Sequence, residues 1–485
     1  MAGIGFKLQK LFRDDYTSLH IRAYAYASFI AAGPWLISVI SVALINLLVK
    51  RLGGLEELES QLFIVTISYS FIFSQVLSGG WQLVVTRFLA DHFYQNKLDI
   101  ITPTFTGISR IVFVTSLGAA ILFYIGSPLP FSYKLISTML FLMIGQIWLC
   151  MVFLSAAKNY QIISYAFLTG SIVSVLGVFV LLATPLPFEQ HERVTNVLIG
   201  FTVGVGITLL MLLAVLLRTF PARTRQNHYG FLHYVDKYPS LLAVGFLYNL
   251  GIWMDKILIW LGPAGVYVEQ TFRFSPIYDN AVFLAYFSVI PSLVLFVVAV
   301  ETEFYSRYRE FYGYVTNGGT LEMIMRAKKR MVEVLWYQML RLTKLQGVCT
   351  LSLIIVADFL FDWLKYAEMT TDIFQIYALG AMTSTIMLMC ILIMLYFEDR
   401  RGALYASVLF FAANTVMTLV VIPPGLDYYG LNYFLASLIS FAYCGWRLLK
   451  YLSRIEVHTF VTQGILEKEV RGPFTRLAEK AQRLF

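Results

Sequence analysis

Asp255 and Lys256 are adjacent, opposite charges inside the otherwise apolar run 241–261. They stand about six residues from its outer end, roughly 9 Å deep at the 1.5 Å rise of a helix. Ionised groups at membrane depth are costly and mark substrate or ion pathways. Successive helical residues point about 100° apart, so one of the two is expected to face a cavity while the other pairs with a neighbouring helix or snorkels outward. A buried structural pair is the alternative. Tyr248, Asn249 and Trp253 precede this pair in the same run. A second polar group, Ser78-Gly79-Gly80-Trp81-Gln82, sets small residues beside an indole and an amide, with Arg87 and Asp91 following at i and i+4. The Arg87 to Asp91 spacing reads as an anchor at the inner mouth rather than a ligand site. Trp81 offers the flat apolar face on which a sugar ring stacks. Gly33, Pro34 and Trp35 interrupt a further run, because proline cannot donate a backbone hydrogen bond.

Other residue types give no chemistry. Asp358 and Asp362 share a helix face and have the types for acid and base, but charges at the edge of an apolar run read as solvated. No GxxxxGK[ST] phosphate loop is present, and no nucleophile, base and orienting acid fall together. No catalytic residue is assigned. His228 and His233 are the nearest histidines to a cluster and lack a carboxylate or thiol at metal-like spacing. The cysteines Cys150, Cys349, Cys390 and Cys444 lie in or beside apolar runs as core residues. Neither metal nor cofactor is expected.

The elements that carry these residues are membrane helices. Of 485 residues, 58% are hydrophobic and 14% charged, with a mean hydropathy of +0.70. At about 20 apolar residues per crossing, spans fall at 23–49, 62–85, 107–126, 135–157, 162–182 and 194–217. Six more follow at 241–261, 281–300, 347–361, 373–397, 403–422 and 431–449. The expected fold is therefore an all-α polytopic membrane protein of about twelve transmembrane helices in two six-helix bundles. No cleavable signal peptide is evident before the first span. With the N-terminus inside, roughly 30 of the Lys and Arg residues fall on the inner face and about six outside, the bias of cytoplasmic loops. Both termini are thus expected in the cytoplasm. The net charge of +8 reads as topology and contact with anionic lipids, not nucleic-acid binding.

The expected domains are 1–217, an N-terminal bundle preceded by an amphipathic segment; 218–240, a basic cytoplasmic linker; 241–451, a second bundle; and 452–485, a basic amphipathic tail. An insertion at about 301–345 has helical spacing at Ile324, Met331, Leu335, Met339 and Leu342. It reads as a helix lying in the interface or as a docking surface for a cytoplasmic partner. Segments 4–13 and 474–485 both read as helices on the inner leaflet. Six spans, a linker and six spans suggest a repeated transporter that handles substrate between its halves.

Several strings carry a resemblance: Met1-Ala2-Gly3-Ile4-Gly5-Phe6, Arg22-Ala23-Tyr24-Ala25-Tyr26, Gly33-Pro34-Trp35 and Val85-Thr86-Arg87-Phe88-Leu89-Ala90-Asp91. Glu301-Thr302-Glu303-Phe304-Tyr305, Tyr308-Arg309 and Gly318-Gly319-Thr320-Leu321 extend it over nearly the whole chain. The chain resembles the PelG-type exopolysaccharide exporters of the MOP flippase superfamily. That resemblance implies a MATE-like, V-shaped pair of helical bundles in the bacterial inner membrane that exports a Pel-like, N-acetylhexosamine-rich polysaccharide during biofilm formation. It implies as partners a cytoplasmic glycosyltransferase and membrane components that scaffold the complex and bind a cyclic dinucleotide. No functional residue is carried over from it. The path or coupling candidates therefore rest on physical argument: Pro34, Trp35, Trp81, Gln82, Arg87, Tyr248, Asn249, Trp253, Asp255 and Lys256. The competing readings are a lipid-linked oligosaccharide flippase, an ion-coupled drug exporter of the same superfamily, and a membrane scaffold for a glycosyltransferase.

Overall fold

The computed structural model describes residues 28–30, 32–53, 57–157, 159–183, 190–220, 228–363, 365–460 and 471–484. The segment expected at 4–13, the strings at 1–6 and 22–26, and the outset of the first span lie outside them. Among the described residues, eleven helices are long and apolar enough to cross a membrane. Helices suit such a chain because every backbone donor and acceptor is satisfied within the segment. The expected twelfth span is also a helix, Leu431–Ser453. Asn432, Ser437 and Ser440 on its buried face, with Arg447 and Lys450 near its end, make it more polar than the eleven.

Two compact units divide the chain. One comprises Pro34–Ser275 with Glu467–Phe485, the other Met1–Gly33 with Pro276–Leu466. The first unit contains α1 (Gly33–Leu48), α2 (Glu57–Tyr94), α3 (Ile101–Tyr124), α4 (Phe131–Ala156), α5 (Tyr160–Ala183) and α6 (Gln190–Thr219). It continues with α7 (Leu232–Lys237) and α8 (Pro239–Leu261). Leu62, Phe63, Tyr133, Leu140, Val178, Leu198 and Phe201 join α2, α4, α5 and α6 in one core. Helix α1 starts at the Gly33-Pro34 step, where the interruption was expected. The stretch 218–240 is more than a linker, since its described part folds α7 and buries Phe231, Leu232 and Val235.

Run 241–261 was expected to open the second bundle. Instead α8 packs on α2 and belongs to the first unit. A second difference is a two-stranded antiparallel sheet among described residues whose other regular elements are helices, β1 (Val266–Val268) with β2 (Phe272–Phe274), pairing Val266 with Phe274 and Val268 with Phe272. Its turn places Glu269 and Gln270 at φ 47° and 49°, the left-handed conformation that matches strand twist in a tight hairpin.

The second unit begins with α9 (Pro276–Phe287) and α10 (Ile290–Ala299). These divide the expected single span 281–300, because Pro291 enters α10 at its first turn and has no N–H to donate back. A π-turn, Val300–Phe304, leads into α11 (Tyr305–Thr316), followed by α12 (Leu321–Trp363), α13 (Glu368–Tyr396), α14 (Arg400–Val421), α15 (Leu431–Ser453) and α16 (Ile455–Phe460). The expected insertion holds the π-turn and α11 up to Thr316, and its remainder from Leu321 runs unbroken into the expected span 347–361 as one 43-residue helix, α12. Its buried stripe at Ile324, Ala327, Met331, Leu335, Gln338 and Leu342 explains the spacing read in the sequence. Helix α12 packs on both α11 and α13. Asp399 is 4% exposed; it caps α14 through Gly402 N and accepts a bidentate pair of bonds from Arg447 of α15, at 2.7 and 2.8 Å. Helix α17 (Pro473–Leu484) closes the chain and packs on α7 in the first unit.

Candidate functional site

The site is built on the crossing of α2 and α8. Helix α2 turns Thr66, Ser70, Ser74 and Ser78 to its buried side. Thr66 shares a hydrogen bond with Tyr133 at 2.6 Å, Ser74 and Ser78 donate to the carbonyls of Phe71 and Gln75, and Trp148 donates to Ser74 at 3.1 Å. Gly79 and Gly80 follow, and α8 meets them with Gly245. A Cβ on Gly245 would lie 2.4 Å from the Gly79 carbonyl oxygen. Only three glycines permit this approach, and small residues at crossings are how membrane helices gain close packing.

That approach brings polar side chains together at membrane depth. Trp253 donates its indole N–H to Gln75 Oε1 at 3.1 Å across the two helices. Gln82 donates to Ser78 at 3.3 Å, and Asn249 donates to the Gly245 carbonyl at 2.7 Å. Gln75, Gln82, Tyr248, Asn249 and Trp253 are all half-buried. Lys256 stands 5.5 Å from the centre of the Trp253 ring, within cation–π range. Asp255 is fully buried and Lys256 nearly so, so neither snorkels to the surface, and neither is free of partners.

The hairpin holds this crossing at its far end. The Tyr69 hydroxyl of α2 donates to the Arg273 carbonyl at 2.8 Å and accepts from its N–H at 3.2 Å. The Tyr69 ring stacks on Trp260 of α8 with centroids 4.7 Å apart. The Arg273 guanidinium donates to the carbonyls of Leu261 and Gly262, satisfying the C-terminus of α8.

The structure places Gln82, Tyr248, Asn249, Trp253, Asp255 and Lys256 on this pair of helices; Trp81 and Arg87 also lie on α2 but contact residues before α8, and Pro34 and Trp35 lie on α1. Trp81 packs edge-on to Phe231, ahead of α7. Arg87 pairs with Asp91 at 3.3 Å and lies over the Tyr238 ring. Asp91 also accepts from Tyr234 of α7 at 3.0 Å. Pro34 and Trp35 open α1, which makes no substantial packing contact with α8. Sequence reasoning missed Gln75 and Arg273; the polar Gln75 within a span was the one available signal.

At the C-terminal end of α2, a cavity of about 370 Å³ is lined by His92, Gln95, His233, Tyr234, Thr475 and Glu479 among others. It exists because α17 docks there. Asp236 of α7 accepts hydrogen bonds from the N–H and hydroxyl of Thr475, both at 2.6 Å, and from Phe474 N at 3.3 Å. Burial disfavours the charged carboxylate, but the bonds from Thr475, Phe474 and Gly472 outweigh it and hold Asp236 below the usual carboxylate range.

The PelG exopolysaccharide exporter (EPS-E) family model matches residues 1–460. The chain belongs to this family. It is accordingly a membrane transporter and not an enzyme. The solved structures it is similar to share the MATE fold of the MOP superfamily. An outward-facing multidrug resistance MATE transporter has a TM-score of 0.60 at 10% identity, covering 93% of this chain and 98% of that one. The Vibrio cholerae MATE transporter VcmN in the bent form has 0.57 at 11% identity, covering 94% and 99%. A MOP superfamily transporter from Pyrococcus furiosus has 0.54 at 12% identity, covering 93% and 98%. No curated protein matches the chain.

Proposed function

We propose that this chain carries a neutral, N-acetylhexosamine-rich exopolysaccharide of the Pel type across the bacterial inner membrane, with both termini in the cytoplasm and the α2–α8 crossing forming part of the path. The observation that carries this reading is the array of Gln75, Gln82, Asn249 and Trp253, uncharged and half-buried on two membrane-spanning helices. Hexosamine rings present apolar faces that stack on an indole, and their hydroxyls and acetamido groups pair with amides. Several weak contacts of this kind suit passage, since a conduit must bind well enough to admit its substrate and weakly enough to release it. The hydrogen bond from Trp253 to Gln75 fixes the ring before substrate arrives, lowering the ordering cost of each contact.

A cytoplasmic glycosyltransferase would feed the polymer, with a membrane scaffold and a cyclic-dinucleotide receptor in the same complex and anionic lipids around the basic inner loops. Deleting the chain in its native host and measuring secreted against cell-retained polysaccharide tests the proposal. Loss of secretion with retained polymer is expected, and unchanged secretion would sink it. The complete burial of Asp255 is what an ion-coupled antiporter would use. If Asp255→Asn abolished export while membrane assembly persisted, ion coupling would be favoured.

A further inference from the structure

Helix α12 is far longer than a membrane is thick. At 1.5 Å per residue its 43 residues span roughly 64 Å, against about 30 Å of hydrocarbon. The stretch after Lys344 is apolar down to Asp358, so the surplus lies on the Leu321 side. There α12 pairs with α11 in a helical hairpin, buttressed by α16 through Lys328, which donates to Glu456 and to the Ser453 carbonyl at 3.1 Å. The pairing holds Glu456 below the usual carboxylate range despite its burial. Trp336 and Tyr337 are exposed and lie about two turns before Lys344, the place of an interfacial aromatic belt.

Beyond that belt the arm is basic and carries apolar side chains in water. Residues 305–344 hold eight Lys and Arg but three Glu. Arg326, Lys329 and Arg330 are exposed, and their ion pairs with Glu322, Glu333 and Glu310 lie open to solvent, where such pairs are weak and easily exchanged. Leu321, Met323 and Met325 are 73%, 45% and 45% exposed beside them. Measured from the belt at Trp336, Arg330 stands roughly 9 Å and Arg326 roughly 15 Å along the helix, about one and two of the ~8 Å screening lengths at physiological salt. The pull of anionic headgroups on these charges therefore fades toward the tip. Exposed methionines rimmed by cations are instead the makings of an adaptable protein-docking surface.

We infer that the tip of the α11–α12 arm, centred on Met323, Met325, Arg326, Lys329 and Arg330, docks an acidic segment with apolar side chains on a soluble protein at the same face of the membrane. The charge of the arm selects an acidic partner, and the methionines bury its leucines or aromatics. The test places a photo-cross-linking residue at Met325 of the full chain in its native host and, separately, titrates the purified chain in phosphatidylcholine nanodiscs with a 20-residue peptide of clustered Glu and Leu. An adduct with a soluble acidic protein, abolished by R326E/K329E/R330E, is expected. Peptide affinity should fall at least tenfold in that variant and in high salt, and severalfold in M323S/M325S, which leaves the charges in place. The inference is overturned by adducts only with lipid or with a second copy of this chain, by no adduct, or by equal peptide binding in all variants. Because both readouts are independent of export, they stand or fall separately from the transport proposal.

Discussion

Gly245→Ala probes the crossing on which the site depends. The new methyl would lie 2.4 Å from the Gly79 carbonyl oxygen, and a carbon–oxygen contact of about 3.3 Å requires the helices to part by roughly 0.9 Å. The 3.1 Å bond from Trp253 to Gln75 spans the same interface and would stretch toward 4 Å, where no hydrogen bond remains. Overpacking costs about 1–3 kcal/mol, and the broken bond about 1 kcal/mol more. At about 2 °C per kcal/mol for a unit of this size, the Tm of the purified protein should fall by roughly 4–8 °C. Secreted polysaccharide should drop severalfold at equal membrane levels of the chain. An unchanged Tm with full secretion would refute the reasoning, because it would mean that α2 and α8 do not meet through these glycines.

Other consequences are equally accessible. Trp253→Phe and Gln75→Leu each remove one partner of the same bond, so each should lower secretion and the double variant should be no worse than the more affected single one; additive losses would show independent roles. Asp236→Ala removes the cap of α17 at about 1 kcal/mol, which should raise the rate of proteolysis within 473–484 roughly fivefold, read by limited digestion of inside-out vesicles. The carboxyl of Asp236 is held below its ordinary range, so its contribution is complete above the unfolded value of about 3.9 and is lost only as pH falls through the lower native one. Protection of α17 should therefore be constant from about pH 7 to 5. Arg447→Met strands the buried Asp399 and should cost about 3 kcal/mol, whereas Asp399→Leu with Arg447→Met should recover much of the lost Tm.

The spans were legible because uninterrupted hydropathy reports burial in lipid directly. What each span packs against was not. Nothing in helical periodicity says that Gly245 meets Gly79, so run 241–261 was grouped by counting spans rather than by contact. The insertion betrayed its helical spacing at Ile324, Met331, Leu335 and Leu342. Its continuity with the following span was hidden by the switch in side-chain polarity near Lys344 and Gly347, which does not interrupt a backbone helix. The β1–β2 hairpin left almost no trace, since three-residue strands show too little alternation and Glu269-Gln270 is not the usual Asn-Gly turn. Among the site residues, Trp253 and Asn249 were found as polar interruptions of an apolar run. Gln75 acquires its meaning only from the indole that α8 delivers to it.

Complementation of a deletion host with Trp253→Ala bears most directly on the proposed path. The ratio of secreted to cell-retained polysaccharide would be measured beside the wild-type chain, with membrane levels matched. The account predicts that the wild type restores secretion while Trp253→Ala, inserted equally well, leaves polymer in the cell. Full secretion by Trp253→Ala would contradict it.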